Sequence, residues 1–330
     1  MATAPRHTAS RVLAPQGAWG TGVVRSAKRL AVFVRERFPL VPSLVGAALF
    51  AGGVDVVGAR LLGQAPRVDG VTVVCAACIA ALFFILRVVD ELRDEGEDRE
   101  AHPDRPLVRG ATHRVDVIVA ALVCAAVATL ALASVGWAAA GAGAAVICST
   151  VALQLDGGSK RIRAHALLTL AVHQTMVPLW AVFVLAVRQA ATAPAARAAI
   201  NVQAGRALAP LLLLALLVTL LFELGRKVHH PQDENPLDDS YSRLWGTRRA
   251  SAAISVAAGA LLLCVAAVVT HTGMPVWPVG VAGVCVFWVW GTALRLAVWP
   301  RPRAGTAVAI STGVAPVFVY LPLMLGALCG

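Results

Sequence analysis

The strongest constraint on this chain is a series of long apolar runs, at residues 40–62, 71–92, 115–136, 138–155, 164–187, 207–228, 250–271, 276–298 and 305–328. About 20 apolar residues, rising 1.5 Å each as a helix, cross a hydrocarbon layer of about 30 Å. Apolar side chains make up 58% of the chain against 14% charged, with a mean hydropathy of +0.74. One soluble core could not hide that much apolar surface, so a water-soluble globular fold is excluded. The runs are filled by Ala, Leu and Val without strand-type alternation, which removes a membrane β-barrel as well. The expectation is an all-α, polytopic membrane protein of about nine transmembrane helices.

The net charge of +11 would suggest nucleic acid in a soluble protein. Here the basic residues sit between the apolar runs, where they set topology, so no nucleic-acid partner is expected. Residues 1–38 carry Arg6, Arg11, Arg25, Lys28, Arg29, Arg35 and Arg37 without the short apolar stretch and cleavage site of a signal peptide. They read as a basic cytoplasmic tail, and residues 39–330 as the membrane domain. The positive-inside rule places the tail and the connections at 93–114, 160–163, 226–249 and 295–303 on the cytoplasmic side, with Gly330 outside. The setting is a bacterial-type plasma membrane with its working face toward the cytoplasm. Six of the seven cysteines lie inside apolar runs and read as small packing residues, Cys75 and Cys78 included.

The two longest polar connections, after the second and sixth runs, land on one face. The first holds Asp90, Glu91, Asp94, Glu95, Glu97 and Asp98. On a helix, Glu91, Asp94 and Asp98 share a face at i, i+3 and i+7. Such a face repels itself unless a cation neutralises it, and Mg²⁺ is commonly held by one or two carboxylates with phosphate oxygens and water. The alternative is that Arg87, Arg93 and Arg99 pair with these acids as a solvated charged helix. Asp90 and Glu91 adjoin the apolar run, where charge is costly and usually functional, which favours the metal.

The stretch Asp90-Glu91-x-x-Asp94-x-x-x-Asp98, followed by Arg99 and the run from Pro103 through Arg105 to Gly110, resembles the first aspartate-rich motif of the UbiA superfamily of membrane prenyltransferases. That pattern is Asn-Asp-x-x-Asp-x-x-x-Asp; here Asp90 and Glu91 stand in its first two places and keep oxygen ligands. The resemblance implies nine helices around a lipid-facing active-site cavity, with motifs after the second and sixth helices. It also implies Mg²⁺ on Asp90, Glu91, Asp94 and Asp98, bridging to the diphosphate of an allylic isoprenoid. Asp94 and Asp98 would then serve catalysis and Arg105 substrate binding. The resulting allylic cation is captured by an aromatic or other acceptor in a prenyltransferase, and by the chain's own double bonds in a terpene cyclase of the same superfamily. A transporter or scaffold is the reading from another class. The absence of inverted hydropathy repeats, and acids at a face instead of the midplane, weigh against it.

The second connection departs from the family. Glu223 fills the first place of Asp-x-x-x-Asp, but Lys227 stands in the second and cannot ligate a metal. Either fewer protein ligands hold a second ion, or Glu234 reaches back to it, or Arg226 and Lys227 bind diphosphate directly. The plain alternative is that Arg226 and Lys227 anchor the helix end. Lys160, Arg161 and Arg163 contact diphosphate or serve as a further anchor on the same side. Within the fifth run, His173, Gln174 and Pro178 line a substrate chamber or bond a neighbouring helix.

This topology is checked by single cysteines at Glu97 and Asp239 in a chain stripped of native thiols. Both are expected to label from one side of sealed vesicles, and a cysteine at Gly330 from the other. Labelling of Glu97 and Asp239 from opposite sides would refute a shared site.

Overall fold

The computed structural model describes residues 18–163, 165–192, 202–234 and 240–330. The helices are α1 (Ala18–Arg37), α2 (Leu40–Leu61), α3 (Gly70–Ala101), α4 (Arg114–Ala133), α5 (Trp137–Gln154), α6 (Lys160–Arg163), α7 (Ala166–Gln174), α8 (Met176–Ala190), α9 (Val202–Arg226), α10 (Tyr241–Trp245), α11 (Thr247–Thr272), α12 (Trp277–Val298), α13 (Ala304–Gly313) and α14 (Ala315–Cys329). Among the described residues nine spans are long and apolar enough to cross a bilayer, with α7–α8 and α13–α14 each forming one broken span. Both breaks carry a proline soon after, Pro178 and Pro316, whose missing N–H interrupts the helical ladder. The chain is an integral membrane protein, with Val115, Leu263, Val284 and Phe287 facing outward into lipid.

Apolar faces cannot drive association where the solvent is itself apolar, so close packing holds the spans together. A Cβ at Gly53 would lie 2.5 Å from the ring of Tyr320, so α2 and α14 meet more closely than any larger residue allows. Tyr320 in turn packs edge-on against Phe50 at 5.8 Å. Trp180 of α8 reaches α5 through its indole N–H, which donates to Thr150 Oγ1 at 2.8 Å.

Alternate connections gather at one end of the bundle, and polar side chains close it. Arg188 of α8 is buried and donates to Asp55 of α2 at 2.6 Å and to Asp69 at 2.8 Å. Thr72 donates to Asp55 at 2.7 Å, while Asp69 caps α3 by accepting from the N–H groups of Val71 and Thr72. Arg60 donates to the carbonyls of Thr272 and Ala327, the last turns of α11 and α14. The fifth apolar run ends at residue 187, yet the helix continues to Ala190 and carries Arg188 to Asp55, the acid inside the second run. The pair joins residues 133 positions apart.

The basic tail contains a helix. In α1 the stripe Leu30, Phe33 and Val34 packs on Phe84, Leu107 and Val117, forming a small core across the other ends of α3 and α4. Arg29 pairs with Asp116 at 2.5 Å, and Glu36 accepts from Arg109 at 2.9 Å. Residues 1–17 lie outside the described residues.

Removing Arg188 leaves a buried carboxylate without its cation, which typically costs about 3–5 kcal/mol. Arg188→Met is therefore expected to lower the melting temperature in detergent sharply, and Asp55→Leu in the same chain to restore most of it. Asp69 adds an acid dependence: hydrogen bonding to Arg188 holds its pKa near about 2, below the ordinary 3.8. Its stabilising contribution is full above about pH 4 and is lost as pH falls toward 2. Asp69→Asn should flatten that part of the stability profile.

Candidate functional site

The opposite end of the bundle carries the charged connections. α3 runs past its apolar part without a break, so Asp90 to Asp98 are helical as their spacing predicts. The structure nevertheless divides the predicted face of Glu91, Asp94 and Asp98 among four arginines, Arg37, Arg87, Arg93 and Arg105. Glu91 is buried and accepts from Arg37 of α1 and from Arg87, each at 2.6 Å. Asp98 is buried against Arg105, so Arg105 fixes the turn after α3 through that carboxylate. Glu95 accepts from Arg114 at 2.5 Å and from Arg99 at 3.3 Å. The interleaved arginines thus act as the pairing alternative requires. Their geometry could not be read from spacing because two of the partners, Arg37 and Arg114, come from other helices.

Asp90 and Asp94 behave differently. Arg93 Nη2 lies 3.1 Å from Asp90 Oδ1 and 3.0 Å from Asp94 Oδ2, while Arg93 Nε donates to Asp94 Oδ1 at 2.6 Å. Two carboxylates from successive turns therefore face one cationic atom. Across the bundle, Gln154 at the end of α5 completes the arrangement: its carbonyl accepts from Arg93 Nη1 at 3.0 Å, and its side chain donates to Asp90 at 3.1 Å. Just beyond Gln154 the buried Asp156 opens a 3-10 turn, Asp156–Gly158, and stands 3.0 Å from His173 Nε2. Sequence reasoning missed Gln154 and Asp156. Their only signal is a polar pair closing the fourth apolar run before Gly157 and Gly158.

The end of α9 supplies the second cluster. Glu223 accepts from Arg226 at 2.6 Å and faces Lys227 Nζ at 3.1 Å. The tip of Lys227 also lies 5.8 Å from the ring centre of Tyr241, which stacks on Trp245 at 4.8 Å. Asp90 lies within electrostatic reach of Arg226, so the two connections meet at one end of the bundle. Glu234 accepts from Ser240 at 3.3 Å, and the N–H of the next residue, Tyr241, donates to the carbonyl of Lys227 at 2.9 Å. Residues 235–239, Asp239 among them, lie outside the described residues. α6 brings Lys160, Arg161 and Arg163 to the charged end; Arg161 is exposed, and the side chains of Lys160 and Arg163 lie outside the described residues. Gln174 bonds Thr219 of α9 at 3.1 Å, the helix-to-helix role its sequence setting left open.

Among the described residues no three His, Cys, Asp or Glu side chains converge on one point. Glu91, Asp98 and Glu223 each have basic partners of their own. At this end of the bundle Asp90 and Asp94 present two carboxylates to one atom, Arg93 Nη2, with Arg87 3.3 Å from Asp90 on its other oxygen. Two carboxylates so placed are a donor set that suits Mg²⁺ when phosphate oxygens and water complete its shell.

No protein-family model and no curated protein matches the sequence. Solved structures share its fold. One, described as giving structural and mechanistic insights into the biosynthesis of digeranylgeranylglyceryl phosphate synthase in membranes, aligns with a TM-score of 0.59 and 11% identity over 92% of this chain and 99% of its own. Another, the apo structure of a UbiA homolog from Aeropyrum pernix K1, aligns with a TM-score of 0.58 and 16% identity over 84% of this chain and 96% of its own. The chain shares the fold of these two structures.

The second cluster depends on a close helix contact. A Cβ at Gly225 would lie 1.9 Å from Thr312 Oγ1, so α9 and α13 touch where Glu223 and Arg226 project. Gly225→Ala should destabilise by about 1–3 kcal/mol through overpacking, read as a lower melting temperature. Thr312→Gly in the same chain should recover much of the loss. Full tolerance of Gly225→Ala would show that the contact does not hold the cluster.

Proposed function

We infer that this chain is a membrane enzyme that ionises an allylic isoprenyl diphosphate and transfers the prenyl group to an aromatic or other nucleophilic acceptor. The observation that carries the reading is the meeting of two clusters at one end of a UbiA-type bundle: Asp90 and Asp94 around Arg93, and Glu223 with Arg226 and Lys227. The positive-inside pattern supports a cytoplasmic position for that end.

The chemistry follows from charge. Diphosphate leaves an allylic carbon as its negative charge grows, and fixed cations lower that barrier most where water is scarce. At the end of α9 two cations face one carboxylate, so the cluster retains a positive charge for the phosphate oxygens. Arg226 offers a planar fork of donors, and Lys227 a point charge steadied against Tyr241. On α3, Asp90 and Asp94 would hold Mg²⁺, which supplies Lewis-acid neutralisation of the departing diphosphate. Arg93 and Gln154 keep those carboxylates oriented. The apolar spans accept the isoprenoid tail and keep water from the cation.

Purified protein with geranyl, farnesyl or geranylgeranyl diphosphate and Mg²⁺ is expected to release inorganic diphosphate, and chelation to stop it. Asp94→Asn should lower turnover by about a hundredfold or more. Lys227→Asp restores the family's spacing yet removes a phosphate contact, so it should also lower turnover. Wild-type or better activity for that variant would remove Lys227 from the site. Cyclic products formed without any acceptor would replace transfer by cyclisation, and no turnover at any chain length would refute the enzyme.

A further inference from the structure

We propose that His173, oriented by Asp156, is the base that takes the proton released when the prenyl group is transferred. The inference rests on the enzymatic reading above and names a further residue pair for that site.

The geometry is that of an acid-oriented imidazole. His173 Nε2 lies 3.0 Å from Asp156 Oδ1, and the Asp156 side chain is 3% exposed against 19% for His173. A buried carboxylate facing one ring nitrogen holds the proton on that nitrogen, which leaves Nδ1 with its lone pair. Nδ1 makes no hydrogen bond among the described residues, and the ring is partly open. The backbone beneath the carboxylate is unusual: Asp156 has φ +55°, followed by Gly157 at +56° and Gly158 at +75°. A non-glycine residue in the left-handed region is uncommon, and such positions gather at functional sites. Here the turn ends α5 and lifts the carboxylate toward α7.

The pair adjoins the candidate site. Arg93 and Asp90 of α3 lie within electrostatic reach of His173, and both bond Gln154, two residues before Asp156. From α9, the neutral Thr219 bonds the neighbouring Gln174, and Glu223 stands one turn beyond it. Arg161 of α6 is exposed. His173 thus sits where α3 presents the carboxylates assigned to the diphosphate side, while being no part of that set.

The step balances as follows. The bond between the allylic C1 and the diphosphate oxygen breaks, and its electron pair leaves with diphosphate. The acceptor, a hydroxyl or an electron-rich aromatic ring, forms the new bond to C1. Its O–H or ring C–H bond then breaks, leaving the electron pair on the acceptor. The proton passes to His173 Nδ1, Asp156 stabilises the imidazolium, and water later removes the proton. Asp156 touches no substrate and is a positioning residue.

The test uses the full chain in detergent or vesicles, supplied with isoprenyl diphosphate, Mg²⁺ and an acceptor that the wild type prenylates. His173→Gln keeps a donor for Asp156 and removes the base. It should lower kcat by about a hundredfold or more with the KM for isoprenyl diphosphate unchanged, and abolish the acid limb of kcat between about pH 5 and 8. Asp156→Asn keeps the hydrogen-bond shape without its charge. It should move that limb to lower pH and lower kcat by at least about tenfold. Should Gln at 173 prevent folding, the Asp156→Asn profile decides alone. A wild-type rate, or an acid limb that stays in place in the folded variants, would overturn the assignment. Absence of turnover in the wild type itself would instead refute the enzymatic reading, and the base with it.

Discussion

A carboxylate at the end of an apolar helix must find a cation, and in this chain arginine supplies it. Arg93 is the centre of that arrangement. Its guanidinium takes Asp90 and Asp94 from its own helix and the carbonyl of Gln154 from α5. A planar fork can do this because its donors point in fixed directions, whereas an ammonium would bind one partner at a time. The link fixes the charged end of α3 against α5 and so sets the position of the turn that carries Asp156. Without it, Asp90 and Asp94 would repel each other at one site.

The two ends of the bundle use the same ion pairing for different purposes. At one end Arg188 is 4% exposed and Asp55 is fully buried, with every oxygen of that carboxylate bonded to Arg188 or Thr72. That arrangement ties α2, α3 and α8, and Arg67, 2.7 Å from Asp69, balances the second carboxylate. At the other end pairing is looser and the sites partly open: Arg226 is half exposed, and two cations share Glu223. Charge left incompletely compensated beside an apolar interior is the condition under which an anionic headgroup is attracted, and the Glu223 cluster meets it. The groove of about 350 Å³ beside Arg295, Trp299 and Arg301 lies at the outer surface of α12 and is separate from this cluster.

Packing sets the spacing between the clusters. Gly225 lets α9 lie directly on Thr312 of α13, and Gly53 lets α2 lie on Tyr320 of α14. Small residues at such crossings allow backbone approach that replaces the hydrophobic driving force missing in lipid. α1 contributes from outside the spans: Arg37 takes up Glu91, which neighbours Asp90 in sequence but faces another helix.

The sequence alone determined the class of fold, the number of spans and the face that would carry charge. Those depend on length, apolar content and the distribution of Lys and Arg, all of which are local properties. It also singled out Asp90, Asp94, Glu223, Arg226, Lys227 and His173 as candidates, since charge inside or beside an apolar run stands out. What only the tertiary structure decided is which acids share a cation. Glu91, Asp94 and Asp98 share a face on a helical wheel, yet Arg37 pairs with the first, Arg93 with the second and Arg105 with the last. Asp55 found its partner 133 residues away, and Asp156 its partner across a turn whose positive φ angles no periodicity announces. Spacing along one helix gives direction, but the identity of the opposite charge depends on which other helix packs there.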